Sequence, residues 1–421
     1  MRSSYSAPPT PRRARMFTTT KDLMLPTTVT GSWPRPRWFD KSLWGRNVSD
    51  AMTDIDYREK FLDAVASVLS DQEQAGLDIL TNGDYHLDEN LGGLAWLLYP
   101  AERMCGVAHD ETYAATEEWS FPPGTILNEV MGGWRYPAVT DKITRGRSWE
   151  FAKIWRLAQA KAGRPVKFGT VCGQVLGSCL EIKTDKYPKD KRELVWDMCG
   201  AINQELRELA AAGCKAIQIE DPMIHLAGPA NPSKDYIDFL IEAFNHEVAG
   251  LEGCEIWIHT CWGNPNMQRV HDDTSYASSF EAYMERLHGD IWTVEMKERN
   301  YQDLELFGRY KGGKWPKKVA LGVISHRNLQ VEGAHEVAGD IRQAMKYIDP
   351  EQIVLSTDCG FGRQGCNRLI AFHKAVSMAR GANIVRAELG LPTHEIRAAN
   401  PLLQIDRTGV GEATLTAGNR N

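Results

Sequence analysis

The residues of this chain best suited to chemistry are a histidine, two cysteines and a glutamate, each at the end of a short apolar run. One run closes on His259-Thr260-Cys261, another reaches Glu295, and a third ends at Asp358-Cys359. An imidazole, two thiolates and a carboxylate form a ligand set suited to Zn2+. In extended backbone, residues two apart project to the same side, so His259 and Cys261 can reach one ion. The His-x-Cys spacing alone is a weak signal, since cysteines are also common in cores. Its weight comes from Glu295 and Cys359 occupying the ends of other runs.

Such residues need a scaffold that brings run ends together. Eight apolar, β-branched runs are present: Leu25–Trp33, Leu77–Gly83, Val166–Cys172, Lys215–Asp221, Glu255–Cys261, Asp290–Met296, Lys318–Ile324 and Gln352–Cys359. Continuous apolar runs of this length suit strands buried on both faces of a parallel sheet. Helical spacing fills Tyr57–Gln74, Arg192–Ala212, Lys234–Val248, Glu336–Ile348 and Cys366–Arg380. Strands alternating with helices predict an α/β fold, a (β/α)8 TIM barrel, whose active site lies at the C-terminal strand ends. About eighty residues separate the second and third runs. With Trp96, Trp119, Trp134 and Trp149, this interval reads as an inserted excursion (about 94–150) whose tryptophans form local core. Residues 1–20, basic and rich in Ser and Thr, read as an extension outside the fold; a transit segment is the alternative. The barrel is expected over 21–397 and a polar tail over 398–421.

Of the 421 residues, 43% are hydrophobic and 25% charged, and 49 Lys and Arg against 55 Asp and Glu leave a net charge of −6. That excludes a disordered chain and gives no basic surplus for nucleic acid. No apolar run is long enough to span a membrane. Nine cysteines, an odd number in a large chain, fit free thiols in a reducing, cytoplasmic setting better than a disulfide framework.

The segments LPTTVTGSWPRP, GCKAIQIEDP, IHTCWGN, a glutamate closing a strand, GVIS and STDCG occur in this order between about Leu25 and Leu391. In this the chain resembles the catalytic barrel of cobalamin-independent methionine synthase. The resemblance implies Zn2+ held by His259, Cys261, Glu295 and Cys359, activating a thiol, homocysteine, for methylation. A zinc-bound thiol is deprotonated at neutral pH, so no separate strong base is required. It also implies an amino-acid site at Gly31, Ser32, Asp84, Glu220 and Asp221, the backbone and hydroxyl taking the carboxylate and the acids the ammonium. His326 is the best candidate general acid, protonating the leaving nitrogen of a methyl-folate; His225 is a weaker one.

The chain departs from the family pattern at several points. Asp84 stands where a glutamate is usual, Glu220-Asp221 reverses an Asp-Glu pair, and Gly169–Gln174 replaces a Gly-Pro-Val-Thr stretch. His326 is next to, rather than clearly on, the family's histidine position. The N-terminal barrel of the larger enzymes is missing, which leaves the methyl donor open between a methyl-folate and a separate corrinoid protein. Alternatives are a zinc thiol alkyltransferase that opens an epoxide, similar to epoxyalkane:coenzyme M transferase, and a metal-free enzyme similar to uroporphyrinogen decarboxylase. Gly360-x-Gly362-x-x-Gly365 matches a dinucleotide fingerprint, but too little chain follows it for a Rossmann domain. In a barrel this loop can instead cradle an anion, assisted by Arg363 or Arg368, or give the backbone room near the metal.

Overall fold

A computed structural model describes residues 17–403 except 44, 88–94, 115–120, 133–134, 222–232, 271–274, 311–316 and 363–364. His225, Arg363, residues 1–16 and the tail from 404 therefore lie outside the described residues. Strand-forming runs give β1 (Leu80–Thr81), β2 (Cys105–Ala114), β3 (Arg135–Thr144), β4 (Val166–Val171), β5 (Ala216–Glu220), β6 (Glu255–Thr260), β7 (Ile291–Val294), β8 (Lys318–Ile324) and β9 (Ile353–Thr357). Seven of them form one sheet in the order β1-β4-β5-β6-β7-β8-β9, every pairing parallel.

The first expected run takes the eighth place without becoming a regular strand. The Leu355 N–H donates to Pro26 O (2.7 Å) and the Thr28 N–H to Leu355 O (2.9 Å), while the Asp78 and Ile79 N–H groups reach Thr27 O. The segment thus joins the two edges of the sheet. A longer ladder is blocked because Pro26 has no N–H and Leu25 adopts a left-handed φ of 51°.

Alternation sorts each strand into two buried layers. Ile79, Ala216, Trp257, Ile291, Ala320 and Val354 pack together inside the curled sheet, with Phe17 against them. Their neighbours Ile217, Ile219, Ile256, Ile258 and Val294 instead join the core shared with the helices. Continuing the inward parity toward the strand ends brings Gln218 and Glu220, His259 and Cys261, and Glu295 to the interior. This is why apolar runs end in chemistry.

The main helices are α1 (Ile55–Ala75), α2 (Phe151–Gln159), α3 (Gly173–Cys179), α4 (Arg192–Ala211), α5 (Lys234–Glu247), α6 (Ala334–Ala344) and α7 (Arg368–Glu388), all but α2 and α3 overlapping a stretch of expected helical spacing. In α1, Tyr57, Phe61, Ala64, Val65, Val68 and Leu69 form the buried stripe. Asp54 caps its first N–H groups, and Gly76 ends it at φ 91°, where an added Cβ would lie 2.9 Å from Ile396. Among the described residues no helix is long and apolar enough to cross a membrane.

The expected excursion holds the antiparallel hairpin β2–β3 between β1 and β4. Its return limb is fixed by Glu205 of α4, which accepts from the Trp149 N–H (2.7 Å) and pairs with Arg145 (2.6 Å). Trp149 is buried as local core; Trp119 and Trp134 are outside the described residues.

The N-terminal boundary requires correction. Residues 17–20, expected outside the fold, plug the interior at the N-terminal ends of the strands. The buried carboxylate of Glu255 accepts from the Thr18 N–H (2.7 Å), the Thr20 N–H (2.8 Å) and the Thr20 hydroxyl (2.7 Å). Lys318 Nζ donates to Thr20 O (2.7 Å). A buried glutamate and a buried lysine at strand starts need partners, and this polar segment supplies them.

Candidate metal centre and acceptor site

At the C-terminal end of the sheet, one ligand atom from each of His259, Cys261 and Cys359 falls within 4.8 Å of the others. The two sulfurs are 3.9 Å apart. His259 is 0% exposed, and neither ring nitrogen makes a well-formed hydrogen bond. Glu220 is the register partner of His259 across β5–β6, which brings its carboxylate to 3.5 Å from Nε2.

The charges in this cluster are interdependent. The Cys261 S–H beside it holds the Cys359 thiol well below the usual cysteine range, helped by the adjacent His259. Cys261 is correspondingly pushed up, by Cys359 and by burial. Burial works to lower His259, but Glu220 and Cys359 outweigh it and raise the imidazole to about 9. A soft sulfur pair with a buried, unsatisfied imidazole is the donor set a zinc ion takes. The residues present fit that metal.

Glu295 is not in this trio. Its buried carboxylate pairs with Arg327 Nη1 and accepts from the Trp262 N–H (3.1 Å). Arg327 also donates to Gly263 O (2.6 Å). Glu295 lies near enough to contribute to raising Cys261, but its oxygens are committed elsewhere.

Cys359 enters the site because Asp358 is drawn aside. The Asp358 carboxylate accepts from the backbone N–H groups of Met296 (2.7 Å), Lys297 (2.9 Å) and Glu298 (2.8 Å). It fills the space left by Gly322, whose ideal Cβ would collide with Asp358 Oδ1.

The Gly31–Ser32 turn lies against the loop following Cys359. The Phe361 N–H donates to Ser32 O (2.8 Å) and the Gly362 N–H to Ser32 Oγ (3.1 Å). Asp84 is wedged between two glycines: an ideal Cβ on Gly31 would stand 3.7 Å from its Oδ2, and one on Gly169 3.8 Å from its Oδ1. Asp84 is itself left-handed (φ 58°), in a turn closed by its N–H on Asn82 Oδ1 (3.0 Å).

A family model described as the catalytic domain of the cobalamin-independent synthase matches residues 25–381. The chain belongs to this family. The curated methionine synthase of Sulfurisphaera tokodaii is 30% identical over 385 residues, which is 90% of this chain and 98% of the relative. That of Saccharolobus solfataricus is 30% identical over 369 residues, 87% and 96% of the two chains. Among solved structures, the B12-independent methionine synthase from Shewanella sp. W3-18-1, in complex with selenomethionine, superposes with a TM-score of 0.68. Its sequence is 24% identical, and the match covers 87% of this chain and 99% of that one. Membership in the methionine synthase family places the chain among methyltransferases with an α/β barrel-type fold.

Within this family member, the acid pair divides. Glu220 meets His259, whereas Asp221 faces Cys172, Glu247 and Tyr283. His326 is buried at the exit of β8, close enough for its charge to favour the Cys359 thiolate. A Cβ on Gly360 would lie 2.7 Å from the Ser32 nitrogen, and one on Gly362 2.6 Å from Ser32 Cβ, so these glycines serve close packing. Arg368 is committed to Asp71 (2.5 and 2.8 Å) rather than to an anion.

Sequence reasoning missed Arg327, Lys167 and Gln218. Lys167 does carry a signal, as a cation inside the apolar run VKFGTV. Gln218 shares the inward parity of Glu220. Arg327 is marked only by standing beside His326.

Proposed function

We propose that the chain is a zinc-dependent, cytoplasmic S-methyltransferase that methylates homocysteine from a methyl-folate. The observation that carries this reading is the buried trio His259, Cys261 and Cys359 at the strand ends of a chain belonging to the cobalamin-independent methionine synthase family. His259, Cys261 and Cys359 would hold the metal. When bound, Zn2+ supplies the positive charge that keeps sulfur deprotonated at neutral pH. Glu295 is proposed as the anchor of Arg327, whose buried guanidinium faces both cysteine sulfurs.

The chain's own groups then orient and protonate. Asp84 and Glu220 take the acceptor's ammonium, while the Gly31–Ser32 turn receives its carboxylate. Orienting the sulfur against the methyl carbon converts an encounter into an intramolecular displacement. His326 gives a proton from its ring to the nitrogen that loses the methyl group. The cobalamin-independent family lends no support to a corrinoid-protein donor, and it favours methyl transfer over epoxide opening or decarboxylation.

Elemental mass spectrometry of the purified protein tests the reading. About one zinc per chain is expected by the ligand count, absent from Cys261→Ala and retained in His326→Gln, whose turnover with homocysteine and methyl-folate is slowed. A metal-free protein that takes up no zinc after reduction refutes it.

A further inference from the structure

Directly beneath the acceptor acids, inside the sheet, lies a lysine for which the reaction above has no use. Lys167 is the second residue of β4 and is 2% exposed. Its flanking residues Val166 and Phe168 belong to the core shared with the helices, so alternation turns Lys167 inward. Nζ donates to Gln218 Oε1 (2.5 Å), and Gln218 Nε2 donates to Glu220 Oε1 (2.5 Å). The Trp257 ring covers the ammonium at 4.5 Å. The titratable groups facing it are Asp84 on the loop after β1, Glu220 on β5, and Glu255 and His259 on β6. Lys167 is therefore a cation placed among the same carboxylates that are proposed to receive a cationic substrate group.

We propose that Lys167 is a resident counter-ion for Asp84 and Glu220, and that it releases its proton to solvent when the ammonium of an amino-acid acceptor enters beside them. This rests on the reading of the acceptor as an amino acid. Two ammonium groups sharing one acid pair in a low-dielectric interior repel each other, and the resident one can relieve this by losing charge. An Nζ–H bond breaks, its electron pair stays on nitrogen, and the proton passes to the buffer. The neutral amine still has N–H donors for Gln218, so the Gln218–Glu220 geometry survives. Burial already pushes Lys167 down to about 7, against the pull of Glu220, Asp84 and Glu255, so the exchange falls in the physiological range. Acceptor binding should then tighten as pH rises from 6 to 8, because binding expels a proton.

The test is calorimetric titration of the zinc-loaded protein with L-methionine, which carries the ammonium but no thiol proton, in buffers of different ionisation enthalpy. Proton release per methionine should be larger at pH 6, where Lys167 holds more of its charge, and should fall as pH rises to 8. Lys167→Met should release none at either pH. Lys167→Arg, which keeps the charge and cannot give it up, should also release none and bind more weakly, which keeps the test open should the Met variant fail to fold. Methionine binding without proton release at pH 6, or release unchanged in these variants, overturns the proposal. Failure of the wild type to bind methionine at all overturns the acceptor reading and this inference with it.

Discussion

Replacing Cys359 by alanine separates the metal trio from every other account of these residues. In the trio Cys359 is the sulfur that carries the negative charge, with the Cys261 S–H directed at it and His259 beside it. Zinc sites with four protein ligands bind with ~10–16 kcal/mol, so one ligand contributes ~3 kcal/mol, or roughly 100-fold in affinity. Cys359→Ala removes one of three proposed ligands and the more acidic of the two thiols, so a loss of about 100-fold or more is expected. The fold should survive, since a single buried sulfur is removed at a cost of ~1 kcal/mol. Competition against a chromophoric zinc chelator measures the affinity, with circular dichroism confirming the fold. Glu295→Gln is the informative companion. With its oxygens held by Arg327 and the Trp262 N–H, it should weaken zinc by less than about tenfold, the lower end for residues outside the ligand shell. Zinc bound by Cys359→Ala as tightly as by wild type would refute the trio. A Glu295→Gln defect as deep as that of Cys359→Ala would mean that Glu295 leaves Arg327 for the metal, as the family resemblance implies.

Three further outcomes are expected. Burial raises Glu247 to about 8, although the Gly173 N–H opposes it. The native state keeps that proton while the unfolded chain releases it near 4.3, so native stability falls as pH rises between these values. Glu247→Gln should make this decline shallower and gain ~1–3 kcal/mol at pH 8.5 in urea unfolding, and an unchanged slope would contradict the assignment. Glu255→Gln sets an amide against the Thr18 and Thr20 donors and should cost ~2–3 kcal/mol, with earlier proteolysis near residue 20; wild-type stability would show that the plug is dispensable. Asp84→Asn should raise the KM for homocysteine by about tenfold or more while sparing zinc content, as expected of a lost charge-assisted hydrogen bond. An unchanged KM would remove Asp84 from the acceptor site.

What was legible in the sequence is what depends on local period. Two-residue alternation carried His259, Cys261 and Glu220 to the interior, and helical spacing located α1, α4 and α5 within two residues at each end. What was not legible depends on partners distant in the chain. Nothing near Glu295 signals that Arg327, 32 residues on, takes its carboxylate. The glycines of the loop after β9 match a phosphate-binding pattern, yet their constraint comes from Ser32, 330 residues away. The Thr18–Thr20 plug was hidden for the same reason, since a polar, aperiodic stretch gives no sign of the buried glutamate waiting for it. Leu25–Trp33 looked like the other strands because composition does not report the left-handed Leu25, although Pro26 already marks one missing N–H.

The segment that joins the two edges of the sheet has a consequence for how the protein is made. The Thr30 N–H bonds to the Thr357 hydroxyl across 327 residues, and Leu355 bonds to both Pro26 and Thr28. A segment made before the strands of the sheet therefore pairs with the strand made after all the others. At ~5–20 residues per second, roughly 15–65 s pass between synthesis of the two partners. Throughout that interval Val29 and Trp33 have no C-terminal strand to lie against, and the growing sheet presents an open edge at whichever strand was made last. The nascent chain is thus a natural client for chaperones until its last strand emerges, and variants that slow elongation late in the message should aggregate more than those that slow it early.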